Sequence, residues 1–278
     1  MVTQEQRRRQ LAREKFLRQQ QRRTSARRKA HARNAVIASV LGVIVVGSVV
    51  SYATGVFKKD DDKSDAAAEA TPSASPSKAP DPCDKAAAGK VKKLSYKKEP
   101  AITIDKSADY TMKLQTTCGA IDIDMPASKA PHTVNSFSFL TGKGYLDHTK
   151  CHRLTTNGIY VLQCGDPQGT GMGGPGYTIP DENLKDKRLK GDVYPAGTVA
   201  MANQYNAQTK EGRDTGGSQF FLVYQDSQLP ANYTPFGTIS ESGMKVLKKI
   251  AGAGEITGQG DGAPNATVVI DKATVTKS

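Results

Sequence analysis

Short stretches in the second half of the chain alternate apolar and polar residues with a period of two. Residues 111–116 and 120–125 read TMKLQT and AIDIDM, on either side of Thr117, Cys118 and Gly119. Such alternation is typical of strands with one buried face, and a short turn that contains glycine joins two such strands into a hairpin. We therefore predict that a β-hairpin begins the folded domain.

Further short apolar runs predict additional strands at residues 151–154, 159–163, 198–201, 219–224, 235–239 and 267–270. Only two stretches have helical periodicity. One begins at Pro131, because proline is tolerated in a first helical turn, and ends at Gly142. The other covers residues 243–251. Many short strands, glycine-rich connections and two helices indicate a mainly β domain, either a closed barrel or a sandwich.

The alternation is absent between Ala35 and Phe57, where 23 consecutive residues carry no charge. A helix of this length measures about 34 Å, enough to cross a hydrocarbon core of roughly 30 Å. Residues 35–57 are therefore predicted to form a transmembrane helix. The alternative is a cleaved signal peptide with its cleavage site near residues 51–53, although the apolar region of such a peptide usually has about 7–15 residues.

Most of the positive charge lies before this segment. Residues 1–34 contain ten arginines and two lysines against two glutamates, a net charge of +10 out of +12 for the chain. By the positive-inside rule this basic tail stays in the cytoplasm and the chain after Phe57 is translocated. The tail either lies on anionic headgroups or serves only as a topology signal. The rest of the chain is nearly neutral, so no nucleic acid is expected as a partner.

Residues 58–82 are rich in Ala, Pro, Ser and Asp and contain no large apolar side chain. Such a composition cannot bury enough surface to offset the entropy of the chain. We therefore predict a disordered linker that connects the membrane anchor with a folded domain at residues 83–278. The domain is expected outside the cytoplasm, attached to the cell membrane by a single span.

Two motifs resemble catalytic signatures but lack the structural context that each signature needs. Residues 169–174 match GxGxxG, yet residues 175–177 read Pro-Gly-Tyr where a helix would have to bind a pyrophosphate. Residues 216–220, GGSQF, lack the final glycine of a nucleophile elbow. Neither a dinucleotide cofactor nor a serine hydrolase is predicted.

The four cysteines favour disulfides over a metal site. Cys151 and His152 are neighbours on a predicted strand, where successive side chains point in opposite directions, so both cannot bind one zinc ion without a kink. In a domain outside the cytoplasm a Cys151–Cys164 disulfide is favoured, and Cys83–Cys118 is then the second pair. Four cysteines permit three connectivities, and the sequence does not select among them.

Several sequence blocks, taken together and in order, resemble the cyclophilin family. The resemblance covers about residues 111–270. CHRL is similar to the family's F-H-R-[VI], LQCGDP to its Q-G-G-D-P, and GSQFF is identical to a family block. The blocks are CHRL (151–154), LQCGDP (162–167), GTGMGGPGY (169–177), DEN (181–183), AMAN (200–203), GSQFF (217–221) and PFG (235–237).

This resemblance implies a closed eight-stranded barrel capped by two helices. The predicted transmembrane helix precedes this barrel in the chain. It implies a peptidyl-prolyl cis-trans isomerase that acts on proline-containing polypeptides, works as a monomer and needs no cofactor and no metal. The uncatalysed reaction has a barrier near 20 kcal/mol, because the prolyl nitrogen is conjugated with the carbonyl group. The catalyst has to bind the twisted amide better than either planar isomer.

The family's catalytic arginine falls on Arg153, whose guanidinium is expected to donate to the prolyl nitrogen as that atom pyramidalises. The substrate-binding positions fall on Tyr160, Val161, Gln163, Ala202, Asn203, Gln219, Phe221, Leu229 and Tyr233. Phe221 is expected at the floor of a proline hollow and Gln163 near the substrate carbonyl. Asn203 would bind the substrate through its main chain, and Gln219 would hold a neighbouring backbone group. The hypothesis requires that Arg153 faces this hollow and is not paired with a carboxylate.

Two other functions compete with this one. A proline-binding module without turnover would act as a scaffold or chaperone, but it has no use for a buried guanidinium directed at the prolyl nitrogen. A structural membrane protein with an inert barrel is disfavoured because it would have to satisfy Gln163, Asn203 and Gln219 by other means. The residue that separates the enzyme from the binding module is Arg153.

The departures from the family pattern predict weak binding of the inhibitor cyclosporin. The family's tryptophan position falls on Leu229, and its histidine position on Tyr233 beside a one-residue deletion. Leucine lacks the indole N–H that the family uses as a donor to cyclosporin. Titration of the wild-type protein with labelled cyclosporin is expected to give weak binding, and a nanomolar affinity would contradict the assignment of these positions.

Overall fold

In the computed structural model, residues 80–206 and 208–278 are described. They form a mainly β domain with two helices, as the pattern predicted. In chain order the elements are β1 (Asp109–Thr116), β2 (Gly119–Pro126), α1 (Pro131–Gly142), β3 (Thr149–Lys150), β4 (Arg153–Thr155), β5 (Val161–Cys164), β6 (Val193–Tyr194), β7 (Thr198–Met201), β8 (Phe220–Val223), β9 (Ser227–Gln228), β10 (Pro235–Ile239), α2 (Glu241–Gly252), β11 (Asp261–Gly262) and β12 (Val269–Lys277).

The predicted hairpin is confirmed as β1 and β2, which pair antiparallel with Met112 opposite Ile123 and Leu114 opposite Ile121. All four of these side chains are buried, because residues two apart on a strand share a face. The turn has two residues rather than three, since Gly119 already pairs with Thr116.

The predicted closed eight-stranded barrel is wrong in two respects. The main sheet has ten strands in the order β11-β4-β5-β8-β7-β10-β2-β1-β12-β3, and among the described residues its two edge strands do not pair with each other. The reason lies in the segment from β3 to β4. Thr149 and Lys150 pair with β12, whereas Arg153 and Leu154 pair with β5. One short piece of chain therefore connects the two ends of the sheet, and the hydrogen-bonded ladder is interrupted there.

The main core lies between the sheet and the helices. Phe137 of α1 stacks on Phe236 at a centroid distance of 5.0 Å and meets Phe220 edge-on at 5.4 Å. The first turn of α1 has no capping side chain of its own at Ala130. Instead, the carboxylate of Glu182 accepts the N–H groups of the second and third helical residues at 3.0 and 2.9 Å.

Two disulfides connect Cys83 with Cys118 and Cys151 with Cys164, which is the pairing that the sequence favoured. The first attaches the segment before β1 to the hairpin turn. The second joins the chain just before β4 to the end of β5. It therefore links the residues that lead into β4 with β5, and these paired strands carry Arg153 and Gln163.

The segment before β1 runs over the surface of the domain without regular secondary structure, and we call residues 83–104 the strap. Near its start the Asp84 N–H donates to the carbonyl of Thr117 at 2.8 Å. Near its end the Thr103 N–H donates to the side chain of Asn135 in α1 at 3.0 Å. The strap is thus attached to both the hairpin and α1.

The predicted basic tail (1–34), membrane span (35–57) and nearly all of the predicted linker (58–82) lie outside the described residues. Within residues 80–206 and 208–278, neither helix is long and apolar enough to cross a bilayer.

Candidate functional site

The candidate site lies on the outer face of four neighbouring strands, β4, β5, β8 and β7. Antiparallel pairing places Arg153 opposite Gln163, and Gln163 opposite Phe221. It also places Phe221 opposite Ala200. Because side chains alternate along a strand, the intervening residues belong to the main core; they are Leu154, Leu162, Phe220, Leu222 and Val199. The same four strands therefore carry the core on one face and the candidate site on the other.

An apolar cluster covers part of this outer face. We call it the outer cluster; its buried members are Val161, Tyr194, Ala200, Phe221 and Val223, with Leu189, Ala202, Leu229 and Tyr233 half-buried around them. The ring of Tyr233 meets that of Phe221 edge-on at a centroid distance of 5.5 Å. Five of the predicted substrate-binding residues are thus brought together; they are Val161, Ala202, Phe221, Leu229 and Tyr233.

Two other predicted residues lie in different surroundings. The ring of Tyr160 is outside the outer cluster and packs edge-on against Tyr224 at 5.9 Å. The side-chain amide of Asn203 donates to Asp181 at 3.0 Å and to the carbonyl of Asn232 at 2.8 Å. This side chain therefore connects the segments that contain Asp181 and Asn232. Within residues 80–206 and 208–278, no hydrogen bond is formed by the main-chain N–H or C=O of Asn203.

A chain of hydrogen bonds crosses the outer face next to the outer cluster. Arg153 Nη1 donates to Gln163 Oε1 at 3.3 Å, and Gln163 Nε2 donates to Gln219 Oε1 at 2.9 Å. Gln219 Nε2 then donates to the carbonyls of Gly171 and Gly173 at 3.0 and 2.8 Å. A guanidinium only donates and a carbonyl only accepts, so both ends fix the orientation of the two amides. Both N–H groups of Gln219 serve the protein's own glycine-rich loop.

The expectation that Arg153 is not paired with a carboxylate is wrong. Its Nε and Nη2 donate to the two carboxylate oxygens of Asp261, both at 2.7 Å. This arrangement arises because β11 pairs with β4 and places Asp261 opposite Thr155. In sequence, Asp261 is 108 residues away from Arg153. The pair lies at the surface, since 39% of the arginine side chain and 56% of the aspartate side chain are exposed.

The ion pair determines which chemistry Arg153 can perform. The hydrogen bond to Asp261 raises the pKa of Arg153, and the same bond lowers the pKa of Asp261. Both groups are therefore charged near neutral pH. A guanidinium that stays protonated can donate hydrogen bonds and stabilise electron density, but it cannot transfer protons as a general acid or base.

The glycine-rich loop beside the polar chain is held by the buried carboxylate of Asp166. This carboxylate accepts the N–H groups of Gln168, Thr170 and Gly171 at 2.7, 2.9 and 2.7 Å. Gly173 lies so close that a Cβ atom there would be 1.9 Å from an oxygen of Asp166. Burial alone raises the pKa of Asp166, but the hydrogen bonds from the loop outweigh burial and lower it.

A cavity of about 600 Å³ lies between this loop and the end of the polar chain. Its lining includes residues 171–178 of the loop, and also Gln163, Ala202, Asn203 and Gln219. The cavity therefore adjoins four of the predicted binding residues.

The reasoning from sequence missed two carboxylates of this site. Asp261 lies in a short glycine-rich stretch, GQGDG, and nothing in the sequence relates it to Arg153. Asp166 had a usable signal, because an aspartate just before a glycine-rich segment often accepts the backbone N–H groups of the following turn.

Comparisons with known proteins agree on one family. The model of the family described as cyclophilin type peptidyl-prolyl cis-trans isomerase/CLD matches residues 111–275. The chain is 47% identical over 172 residues to a probable peptidyl-prolyl cis-trans isomerase B of Mycobacterium leprae, and 44% identical over 171 residues to that of Mycobacterium tuberculosis. Each alignment covers 59% of this chain and 56% or 53% of the relative, so the chain spans about half the length of these relatives.

A solved structure is similar as well. The cyclophilin-type peptidyl-prolyl cis-trans isomerase of Cryptosporidium parvum superposes with a TM-score of 0.50 at 25% sequence identity. The alignment covers 61% of this chain and 99% of that protein.

The hydrogen bonds to Asp166 predict a dependence of stability on pH. Because the folded-state pKa is lowered, their contribution is fully present above the unfolded pKa of about 3.9 and is lost as the pH falls through the folded value. Asp166→Asn is expected to lower the free energy of unfolding by about 2 kcal/mol at pH 7 and to flatten its decline in acid. Urea unfolding of both proteins between pH 7 and pH 2 tests this, and parallel curves over that range would contradict it.

Proposed function

The chain belongs to the cyclophilin-type peptidyl-prolyl cis-trans isomerase family, and from that premise we propose that it accelerates rotation about X–Pro bonds in polypeptide substrates. The observation that carries the proposal is the adjacency of the Arg153–Gln163 pair to the apolar cluster around Phe221. One half of this surface suits a proline ring, and the other half suits the polar amide attached to it.

The proposed mechanism follows from the origin of the barrier. Rotation breaks the conjugation between the prolyl nitrogen and the carbonyl, so the lone pair localises on a pyramidal nitrogen. A hydrogen bond from Arg153 to this nitrogen forms only in the twisted state and therefore lowers the barrier. The proline ring packs on Phe221 and Leu229, which limits the motion of the ring while the preceding residue rotates. The reaction requires no nucleophile and no proton transfer.

The requirement that Arg153 is not paired with a carboxylate was too strict, because the ion pair with Asp261 leaves one edge of the guanidinium available for this role. The carboxylate occupies Nε and Nη2 on one edge of the guanidinium, whereas Nη1 on the other edge is directed toward Gln163. Nη1 carries two hydrogens and donates one to Gln163, so a further hydrogen remains for a substrate. Exposed pairs of this kind contribute about 1 kcal/mol or less, so the guanidinium can also shift toward a bound amide at little cost.

Of the remaining predicted residues, Gln163 and Asn203 are proposed to bind the substrate backbone. The second amide hydrogen of Gln163 is directed to the substrate carbonyl, and the main-chain groups of Asn203 pair with the residue before proline. Ala202 and Tyr233 border the outer cluster. Gln219 acts through the glycine-rich loop, to which it donates both amide hydrogens.

A proline-binding module without turnover is the alternative function, and the Arg153–Asp261 pair is the observation that favours it. A guanidinium whose charge is balanced by a carboxylate is a weaker donor to a developing lone pair. In that case the outer cluster still binds proline, but the twisted amide gains no extra stabilisation.

We also propose that residues 35–57 anchor the chain in the cell membrane as a single span and that the catalytic domain lies outside the cytoplasm. The uncharged run after a basic tail supports this orientation. Two disulfides in the domain support an oxidising surrounding, because disulfides are rare in the cytosol. We expect the protein to act as a monomer on proline-containing polypeptides.

Arg153→Ala is expected to reduce the isomerase rate constant of the full chain about 100-fold, because it removes the donor to the prolyl nitrogen. The measurement is NMR exchange spectroscopy on a short proline peptide. Arg188→Ala is a matched control, since Arg188 also pairs with an aspartate, Asp186, and the arginine side chain has the same 39% exposure. An active wild type with an equally active Arg153→Ala variant would remove Arg153 from the mechanism. A wild type that binds the peptide but does not accelerate exchange would favour the binding module.

The proposed topology is tested with epitopes at both termini of the full chain in intact cells. External protease is expected to remove the C-terminal epitope and leave the N-terminal epitope protected. Both epitopes are expected on one band of full length before digestion, because a retained anchor keeps the two parts joined. Separation of the epitopes in untreated cells would indicate a cleaved signal peptide, and protection of both would contradict an extracytoplasmic domain.

A further inference from the structure

The strap contacts the glycine-rich loop at the point where that loop forms the cavity wall. The N–H of Tyr96 donates to the carbonyl of Pro175 at 2.8 Å. A Cβ atom on Gly176 would be 2.4 Å from the hydroxyl of Ser95 and 2.6 Å from the carbonyl of Tyr96. The strap backbone therefore lies directly on the loop backbone, at a distance that only glycine allows.

Aromatic packing connects the same place to α1. The ring of Tyr96 meets Phe139 of α1 edge-on at 4.9 Å and lies 6.5 Å from the ring of Tyr177. The hydroxyl of Tyr177 is hydrogen-bonded to Ser136 of α1 at 2.7 Å. Burial raises the pKa of Tyr177 to about 12, which agrees with a ring enclosed between strap and helix.

Residues 175–177 also line the cavity, together with Ala202, Asn203 and Gln219. The same three residues therefore contact the strap, through Pro175, Gly176 and Tyr177, and form part of the cavity wall. A shift of the strap is expected to move this part of the wall.

The strap is fastened at both ends, so it can act as a fixed support. The Cys83–Cys118 disulfide holds its beginning. After Tyr96, Glu99 pairs with His132 at 2.7 Å, and the amide of Asn135 donates to the carbonyls of Pro100 and Ala101, both at 3.2 Å. The strap also lies outside residues 111–275, the part of the chain that matches the family.

We infer that the strap is a positioning element of the substrate site. It holds residues 175–177 in place and thereby sets the width of the cavity that receives the polypeptide beside the proline. Tyr96 is the central positioning residue, acting through Pro175 and Tyr177 without touching the substrate. This inference rests on the proposed isomerase function, because it assigns the cavity to a flanking part of the same substrate.

The test compares full-length variants that disturb the contact from either side. Tyr96→Ala removes the ring from the strap, and Gly176→Ala inserts a methyl group from the loop. Both are expected to raise KM for a tetrapeptide or longer substrate roughly tenfold, with kcat changed less than about twofold, because the wall contacts flanking residues and not the rotating bond. Tyr96→Phe, which keeps the ring, is expected to restore the wild-type KM. Leu94→Ala, another apolar strap residue that packs on the core, is the matched control and is expected to leave KM unchanged.

Hydrogen exchange of residues 171–178 gives a readout that does not require activity. It is expected to accelerate in Tyr96→Ala and to stay at the wild-type rate in Leu94→Ala. Unchanged KM and unchanged exchange in both disturbing variants, on an active wild type, would overturn the inference alone. A wild type that does not accelerate rotation, but whose loop exchange still depends on Tyr96, would overturn the proposed function and leave only the mechanical link. An equal increase of KM in Tyr96→Ala and Leu94→Ala would contradict a specific positioning role of Tyr96. It would show that the strap stabilises the domain in general.

Discussion

The candidate site depends on one geometric constraint, the alternation of side chains along β4, β5, β8 and β7. The inner residues of these short strands form the main core, so the strand register cannot slip by one residue without exposing it. The same register places Arg153, Gln163 and Phe221 in one row on the outer face. The packing energy of the core therefore also fixes the relative positions of the residues proposed to act on the substrate.

The loops around this sheet are organised by carboxylates that accept backbone N–H groups. Asp166 holds the glycine-rich loop, Glu182 caps α1, and Glu255 accepts the N–H groups of Thr257 and Gly260 in the loop that leads to β11. Each carboxylate supplies acceptors where the backbone cannot form a helix or a ladder. The loops around the site are consequently held by side-chain acceptors.

Arg153 connects these two features. Through Gln163 and Gln219 it is linked to the glycine-rich loop, and through Asp261 it is linked to β11. The glycine-rich loop is in turn supported from outside by Tyr96 of the strap. A continuous set of hydrogen bonds and ring contacts thus extends from the segment that follows the predicted linker to the guanidinium at the proposed reaction centre.

The sequence by itself determined the elements whose pattern is local: the hairpin from its alternation, and α1 from Pro131 and its apolar stripe. The outer-face residues were indicated only by the resemblance of motifs such as CHRL and GSQFF to the cyclophilin family. It also favoured the Cys151–Cys164 disulfide, because those residues lie on predicted neighbouring strands. Only the tertiary structure decided the open order of the sheet, the partner of Arg153, and the position of Tyr160 beside Tyr224. Each of these depends on the pairing of distant segments, and a single polar or aromatic residue carries no local signal of what will be packed against it. The contact of the strap with Gly176 belongs to the same class, since it requires the folded paths of two irregular segments that no periodicity describes.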